Sequence, residues 1–184
     1  MTRLRTLGLF AIGTLTLASH QFPSAAQDKP AAEPSPVVTR NRVQLNLAGA
    51  ELIIAQARVQ ADAMKLKLNI AVVDDGGHLL AFARMDGARP ASGYTALTKA
   101  TTAATFRQET GPLPKAEPDV LLSLSLQNAA QASGGKLTTL KGGVPIVVDG
   151  QVIGAVGIGG GTGEQDAEVA KAGIQTLMDR LTAK

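Results

Sequence analysis

The sequence predicts a single α+β domain: a five-stranded antiparallel sheet, made of two hairpins plus one further strand, with about four helices packed on it. Three observations carry this reading. Two apolar runs of strand length, Ile70–Val73 and Leu79–Ala83, flank Asp75-Gly76-Gly77, where glycine tolerates the positive φ of a tight reversal. A second pair of runs, Val144–Val148 and Gln151–Ile158, flanks Asp149-Gly150 in the same manner. Between and around these hairpins, apolar residues recur at gaps of three and four, the period of a half-buried helix.

The first residues stand outside that domain. Arg3 and Arg5 precede the apolar run Leu7–Leu17, and Ser24-Ala25-Ala26 supplies small residues for cleavage, so residues 1–26 read as a signal peptide. The run is too short to span about 30 Å of hydrocarbon, which argues against a stable membrane anchor. A periplasmic or secreted location follows. Residues 27–38 carry Pro30, Pro34 and Pro36 among Ala, Glu and Ser, a composition suited to a flexible tether. Residues 39–184 form the domain.

Composition excludes several function classes. The signal takes two of the 18 basic residues and none of the 15 acidic ones, so the remaining chain is near neutral. Only Phe82, Tyr94 and Phe106 remain as aromatics beyond it. Neither a basic patch nor a stacking platform supports nucleic-acid binding. The absence of cysteine removes disulfides, thiolate metal sites and cysteine nucleophiles.

In chain order, Thr39 is placed at a helix start, followed by Leu47, Ala50, Ile54, Ala57, Ala61 and Met64 along one helical face. After the first hairpin, Met85–Pro90 reads as a loop and Ser92 as the cap of a helix reaching about Phe106. Gly111-Pro112-Leu113-Pro114 breaks the chain, and Pro118 opens a short helix through Leu126. Asn128–Lys136 reads as loop, and Leu137–Leu140 supplies the fifth strand. The last helix spans about Glu164 to Leu181, with Thr162 and Gln165 forming a capping box.

Chemistry could sit in few places. His78 is the sole histidine beyond the signal, and either a solvated turn residue or an axial ligand to haem iron. A Ser92–His78–Asp74 triad is arithmetically available, but no nucleophile elbow accompanies it. Arg84 and Arg89 could meet carboxylates bidentately, or pair with Asp86 at the surface. Tyr94 and Met85 could touch a ligand, although core packing is the simpler role for both. The glycines of 157–163, Gly159 and Gly160 among them, either pack tightly or wall a ligand; the spacing is not that of a nucleotide loop. Glu164, Asp166 and Glu168 could hold a cation, or be ordinary acids of a first helical turn.

Several stretches taken together carry a resemblance. Ile70–Ala88, the helix with Lys99-Ala100 and Thr102-Ala103-Ala104, Gly142–Ile146, and Ile153–Gly157 on through Gly160, Gln165-Asp166 and Val169-Ala170 are similar to the GlcG/HbpS-like family, also described as haem-degrading and as PduO C-terminal-like. The resemblance covers nearly all of Val43–Leu181. It implies a five-stranded sheet with helices on its faces, homo-oligomers, and haem as cofactor in some members. It implies His78 as first candidate for the iron; the carboxylates that Arg84 or Arg89 could meet would then be the propionates. Glu-x-x-Glu pairs for surface iron have no match, since Glu164 and Glu168 are four apart. The leading expectation is a periplasmic or secreted haem-binding protein, a carrier or sensor more than a turnover enzyme. A binding protein or enzyme for a small hydroxy or keto acid or an aldehyde, and a ligand-free oligomerising module, are the alternatives.

Overall fold

The computed structural model describes residues 42–113, 117 and 119–183. Four helices and four strands follow in the order α1 (Leu47–Ala63), β1 (Asn69–Asp74), β2 (Leu79–Arg84), α2 (Ser92–Phe106), α3 (Val120–Ala132), β3 (Gly143–Val148), β4 (Gln151–Gly159) and α4 (Gly163–Thr182). The strands form one antiparallel sheet in the order β2-β1-β4-β3, which makes β2 and β3 its two edges. The α+β class stands, with four strands among the described residues instead of five.

The missing strand is the 137–140 segment. Its backbone donors go to hydroxyls, Thr138 N to Thr102 Oγ1 at 3.0 Å and Leu140 N to Thr138 Oγ1 at 3.1 Å. Amides already satisfied by side-chain hydroxyls have no need of a ladder.

Both hairpins form where expected. In the second, Asp149 and Gly150 adopt φ of 50° and 73°, the left-handed pair that matches strand twist. In the first, Asp74 organises the turn: its Oδ1 accepts from Gly76 N at 2.9 Å and His78 N at 2.8 Å.

Helix boundaries moved where local chemistry outweighed periodicity. The first helix starts at Asn46, whose side chain accepts from Gly49 N at 2.9 Å; Thr39, the expected start, lies outside the described residues. Ala50, Ile53, Ala57 and Ala61 form its buried stripe, while Leu47 is exposed. Ser92 is the first residue of α2, not its cap, and is buried. The third helix runs on to Ala132 through Ala129-Ala130, good helix formers, and stops before Gly134 and Gly135, both at positive φ. Its cap is Asp119, and Pro118 lies outside the described residues. The Thr162–Gln165 capping box of α4 is present with both reciprocal bonds.

The sheet is covered on both faces by different chemistry. On one side Ile70, Val72, Val144, Ile146, Val156 and Ile158 pack against α1 and α4. On the other, Ala71, Val73 and Ala155 meet Ala96, Ala100, Ala103 and Ala104 of α2. Alanine and glycine bring α2 almost onto the strands: a Cβ at Gly157 would stand 2.1 Å from Ala96 O, and one at Gly159 2.3 Å from Ser92 O. A Cβ at Gly143 would stand 2.3 Å from Lys99 O. The obstructing atoms are backbone, so nothing can swing aside. Gly157→Ala is therefore expected to cost about 3 kcal/mol, the upper range for overpacking, read as a lower urea midpoint; an unchanged midpoint would mean that α2 does not rest on β4 in solution.

Candidate functional site

The helix α2 packs on β4, β1 and β3 but leaves the edge strand β2 uncovered. Across the β1–β2 ladder, Ala71 faces Phe82 and Asn69 faces Arg84, so Phe82 and Arg84 lie on the α2 side of the sheet with no helix above them. An open groove of 490 Å³ results, lined by Asn69, Phe82, Arg84, Pro90, Gly93, Tyr94 and Leu97. Phe82 is 43% exposed and Tyr94 80% exposed, values high for aromatics on a well-packed domain. Gly93 opens the floor, since a Cβ there would stand 3.3 Å from Phe82 Cζ.

At the closed end of the groove Asn69 is fully buried. Its Nδ2 donates to Arg89 O at 3.0 Å and to Gly159 O at 3.5 Å, which fixes the amide orientation because both partners are acceptors. Its Oδ1 is buried without a hydrogen-bond partner. A buried acceptor left in this state costs free energy.

The other sequence candidates lie elsewhere. His78 sits at the tip of the first hairpin with its side chain 83% exposed, and Nδ1 is 3.3 Å from Asp74 Oδ1. His78 and Arg84 stand at opposite ends of β2, about 20 Å apart at roughly 3.3 Å per residue. Ser92 is at the far end of α2 from the His78 turn, where its Oγ accepts from Arg89 Nε at 2.9 Å; no Ser–His–Asp arrangement is assembled. Arg89 is thereby turned toward Ser92 and lies within electrostatic reach of Asp166. Tyr94 is not a core residue, whereas Met85 is. Gly159 and Gly160 are consumed by packing: the first against α2, the second with Lys67 O 3.1 Å from where a Cβ would be.

The three acidic residues of the α4 start diverge. Glu164 pairs with Lys141 at 3.1 Å, a hydrogen bond that holds its carboxyl below the usual range, and Glu168 accepts from Gln60. Asp166 turns inward, only 1% exposed, with Oδ2 2.6 Å from Lys99 Nζ and Oδ1 accepting from Gly161 N at 3.0 Å. Lys99 Nζ also donates to Ile158 O at 2.9 Å. Among the described residues no group of three acidic or histidine side chains is placed to hold a metal. This buried pair escaped sequence reading. Its only trace was a lysine within the alanine-rich face of α2.

Comparison with known proteins places this arrangement. The family described as "Haem degrading protein HbpS-like" matches residues 45–175. The chain belongs to the HbpS-like family. Protein GlcG of Escherichia coli K12 is 44% identical to this HbpS-like chain over 119 residues, 65% of the chain and 84% of GlcG. A double mutant of HbpS from Streptomyces reticuli is 28% identical with a TM-score of 0.62, over 80% of this chain and 99% of that one. A PduOC–haem complex shares the fold at 24% identity and a TM-score of 0.60, over 73% of this chain and 95% of that one. No described helix of this HbpS-like chain is long and apolar enough to cross a membrane.

The Lys99–Asp166 pair ties α2 to α4 behind the groove. Lys99→Met alone would leave a buried carboxylate unanswered and is expected to cost about 3–5 kcal/mol, while Lys99→Met with Asp166→Leu should recover most of it in the same melts. Burial pushes the Asp166 carboxyl above its ordinary value, against the pull of Lys99 and Gly161. A raised folded value means that the native state holds the proton more tightly than the unfolded chain does. This contribution is thus complete below the ordinary aspartate range and is lost as pH rises through the folded value. Asp166→Asn should remove that part of the stability–pH curve; persistence of the same slope would assign it to another group.

Proposed function

We propose that this protein is a periplasmic or secreted haem-binding protein, a carrier or sensor, and that the groove beside α2, over β2, is where haem rests. The observation that carries the reading is the uncovered α2-side surface of β2: an open, largely apolar surface flanked by Phe82, Tyr94 and Leu97, with one guanidinium at its end, in a member of a family described as haem-degrading. The residues fit the group. Phe82 and Tyr94 would flank the flat ring, and Arg84 would meet a propionate through charge-assisted hydrogen bonds. When bound, haem would supply a redox-active iron with coordination positions set by the protein.

His78 is assigned to the iron from a second copy of the chain. Within one copy, about 20 Å of strand separates it from Arg84, farther than the iron and propionates of one haem. Its side chain stands exposed at the hairpin tip, where a second copy can meet it. Arg89 and the backbone at Gly159 and Gly160 serve the scaffold around Asn69 and are left out of the ligand set.

Titration of the purified protein with haemin should produce a Soret band distinct from free haemin. Arg84→Ala is expected to weaken binding about tenfold, in line with a hydrogen bond to a charged group. His78→Ala should change the band position, and in equal mixtures with Arg84→Ala should leave one competent site per mixed boundary. An unaltered haemin spectrum would overturn the proposal, and an unaltered band in His78→Ala would remove the iron assignment alone.

A further inference from the structure

The sheet has two edges, and only one of them is protected. On the β3 side, Ile158 N donates to Gly142 O, so alternation along the ladder turns the backbone of Pro145 outward. Its missing N–H denies a donor to any added strand. On the β2 side, Met85 N donates to Leu68 O, and the same alternation turns the N–H and C=O of Phe82 and Arg84 outward. Leu79–Arg84 contains no proline, and its one charge stands at the end. Among the described residues no strand pairs with that outer side. An apolar edge in this state is a template for another strand. We infer that two copies of this chain join through their β2 edges, antiparallel about a two-fold axis at Phe82, so that two four-stranded sheets become one.

Three observations select a second copy as the occupant. Open space flanks the edge on both faces: the groove of Phe82, Tyr94 and Leu97 on the α2 side, and one of 410 Å³ on the α1 side at Leu47, Ile54 and Leu80. An added strand thus has room for its side chains above and below. The two ends of β2 also differ in charge. At the hairpin tip, Asp74 and Asp75 are two carboxylates answered by one guanidinium, Arg42. At the far end, Arg58, Lys67 and Arg84 are three cations answered by Asp62 and Asp86. An antiparallel copy sets each end against its opposite, whereas a parallel one sets like against like. Finally, a two-fold axis at Phe82 opposes ring to ring, an aromatic cross-strand pair on the α2 face.

The pairing also deepens the haem reading, and this part rests on that reading. With Phe82 opposite its own copy, Arg84 lies opposite Leu80 of the second copy. His78 of the second copy is then two residues further on, about 7 Å along the strand, in place of about 20 Å within one chain. One strand pairing would so bring guanidinium and imidazole together twice, once at each end of the boundary.

The chain has no cysteine, so single cysteines report position without background. Phe82→Cys is expected to give a disulfide-linked dimer on mild oxidation of the haem-free protein, since a hydrogen-bonded pair with Cα atoms about 5.5 Å apart is within disulfide reach. Val147→Cys, comparably exposed on the β3 edge, should stay unlinked. In sedimentation of the haem-free protein, Arg84→Pro, which removes an outward N–H and no bond to β1, should halve the mass of the unsubstituted chain while keeping its far-ultraviolet circular dichroism. A monomeric unsubstituted protein, an unlinked Phe82→Cys, equal linking of Val147→Cys, or an Arg84→Pro variant of undiminished mass would each overturn the inference. All of these are read without haem, so their failure leaves the haemin titration standing, and an unaltered haemin spectrum leaves the pairing standing.

Discussion

The contact of α2 with bare backbone governs this structure. Gly143, Gly157 and Gly159 carry no side chain where α2 crosses β3 and β4, and Ala96 and Ala100 answer them from the helix. The helix therefore sits lower than Leu or Val side chains would allow. At that depth Lys99 reaches across to Ile158 O and Asp166, binding helix, sheet and the start of α4 through one buried cation. The ion pair is a consequence of the close approach: its charges are tolerable only because each has further partners, Ile158 O for the ammonium and Gly161 N for the carboxylate.

The same geometry makes the groove. A helix held over β4, β1 and β3 by glycines cannot also cover the fourth strand, and β2 is left with Phe82 and Arg84 facing outward. The buried Asn69 is the hinge between scaffold and site. Its amide nitrogen closes the loop before α2 by holding Arg89 O, and its oxygen is buried without a hydrogen-bond partner.

How much of this was legible depended on the range of the interaction. Both hairpins, the four helices and the capping box came from local chemistry: Asp-Gly turns, period 3.6, a threonine three before a glutamine. The fifth strand failed because Leu137–Leu140 has strand composition, while Thr102, thirty-six residues away, takes one of its amides. Ser92 was read as a cap from its type, but its hydroxyl serves Arg89. Tyr94 was read as core because aromatics usually are; its exposure follows from where α2 stops covering the sheet. Asn69 opened a β-strand and gave no signal at all. A polar residue in an apolar run, at a position that pairs with an arginine only after folding, has meaning only in three dimensions. His78 was visible from its uniqueness, whereas its separation from Arg84 required the strand between them to be laid out.

A helix seated on glycines also shapes how such a protein can diverge. Positions 143, 157 and 159 admit almost no side chain, and Lys99 and Asp166 can be exchanged only together, so drift there is nearly frozen. Phe82 and Tyr94 answer to no such restriction, since both are exposed. One rigid frame can then be re-lined where the start of α2 meets the edge strand β2, and new ligand preferences can arise by ordinary point mutation without the frame being renegotiated.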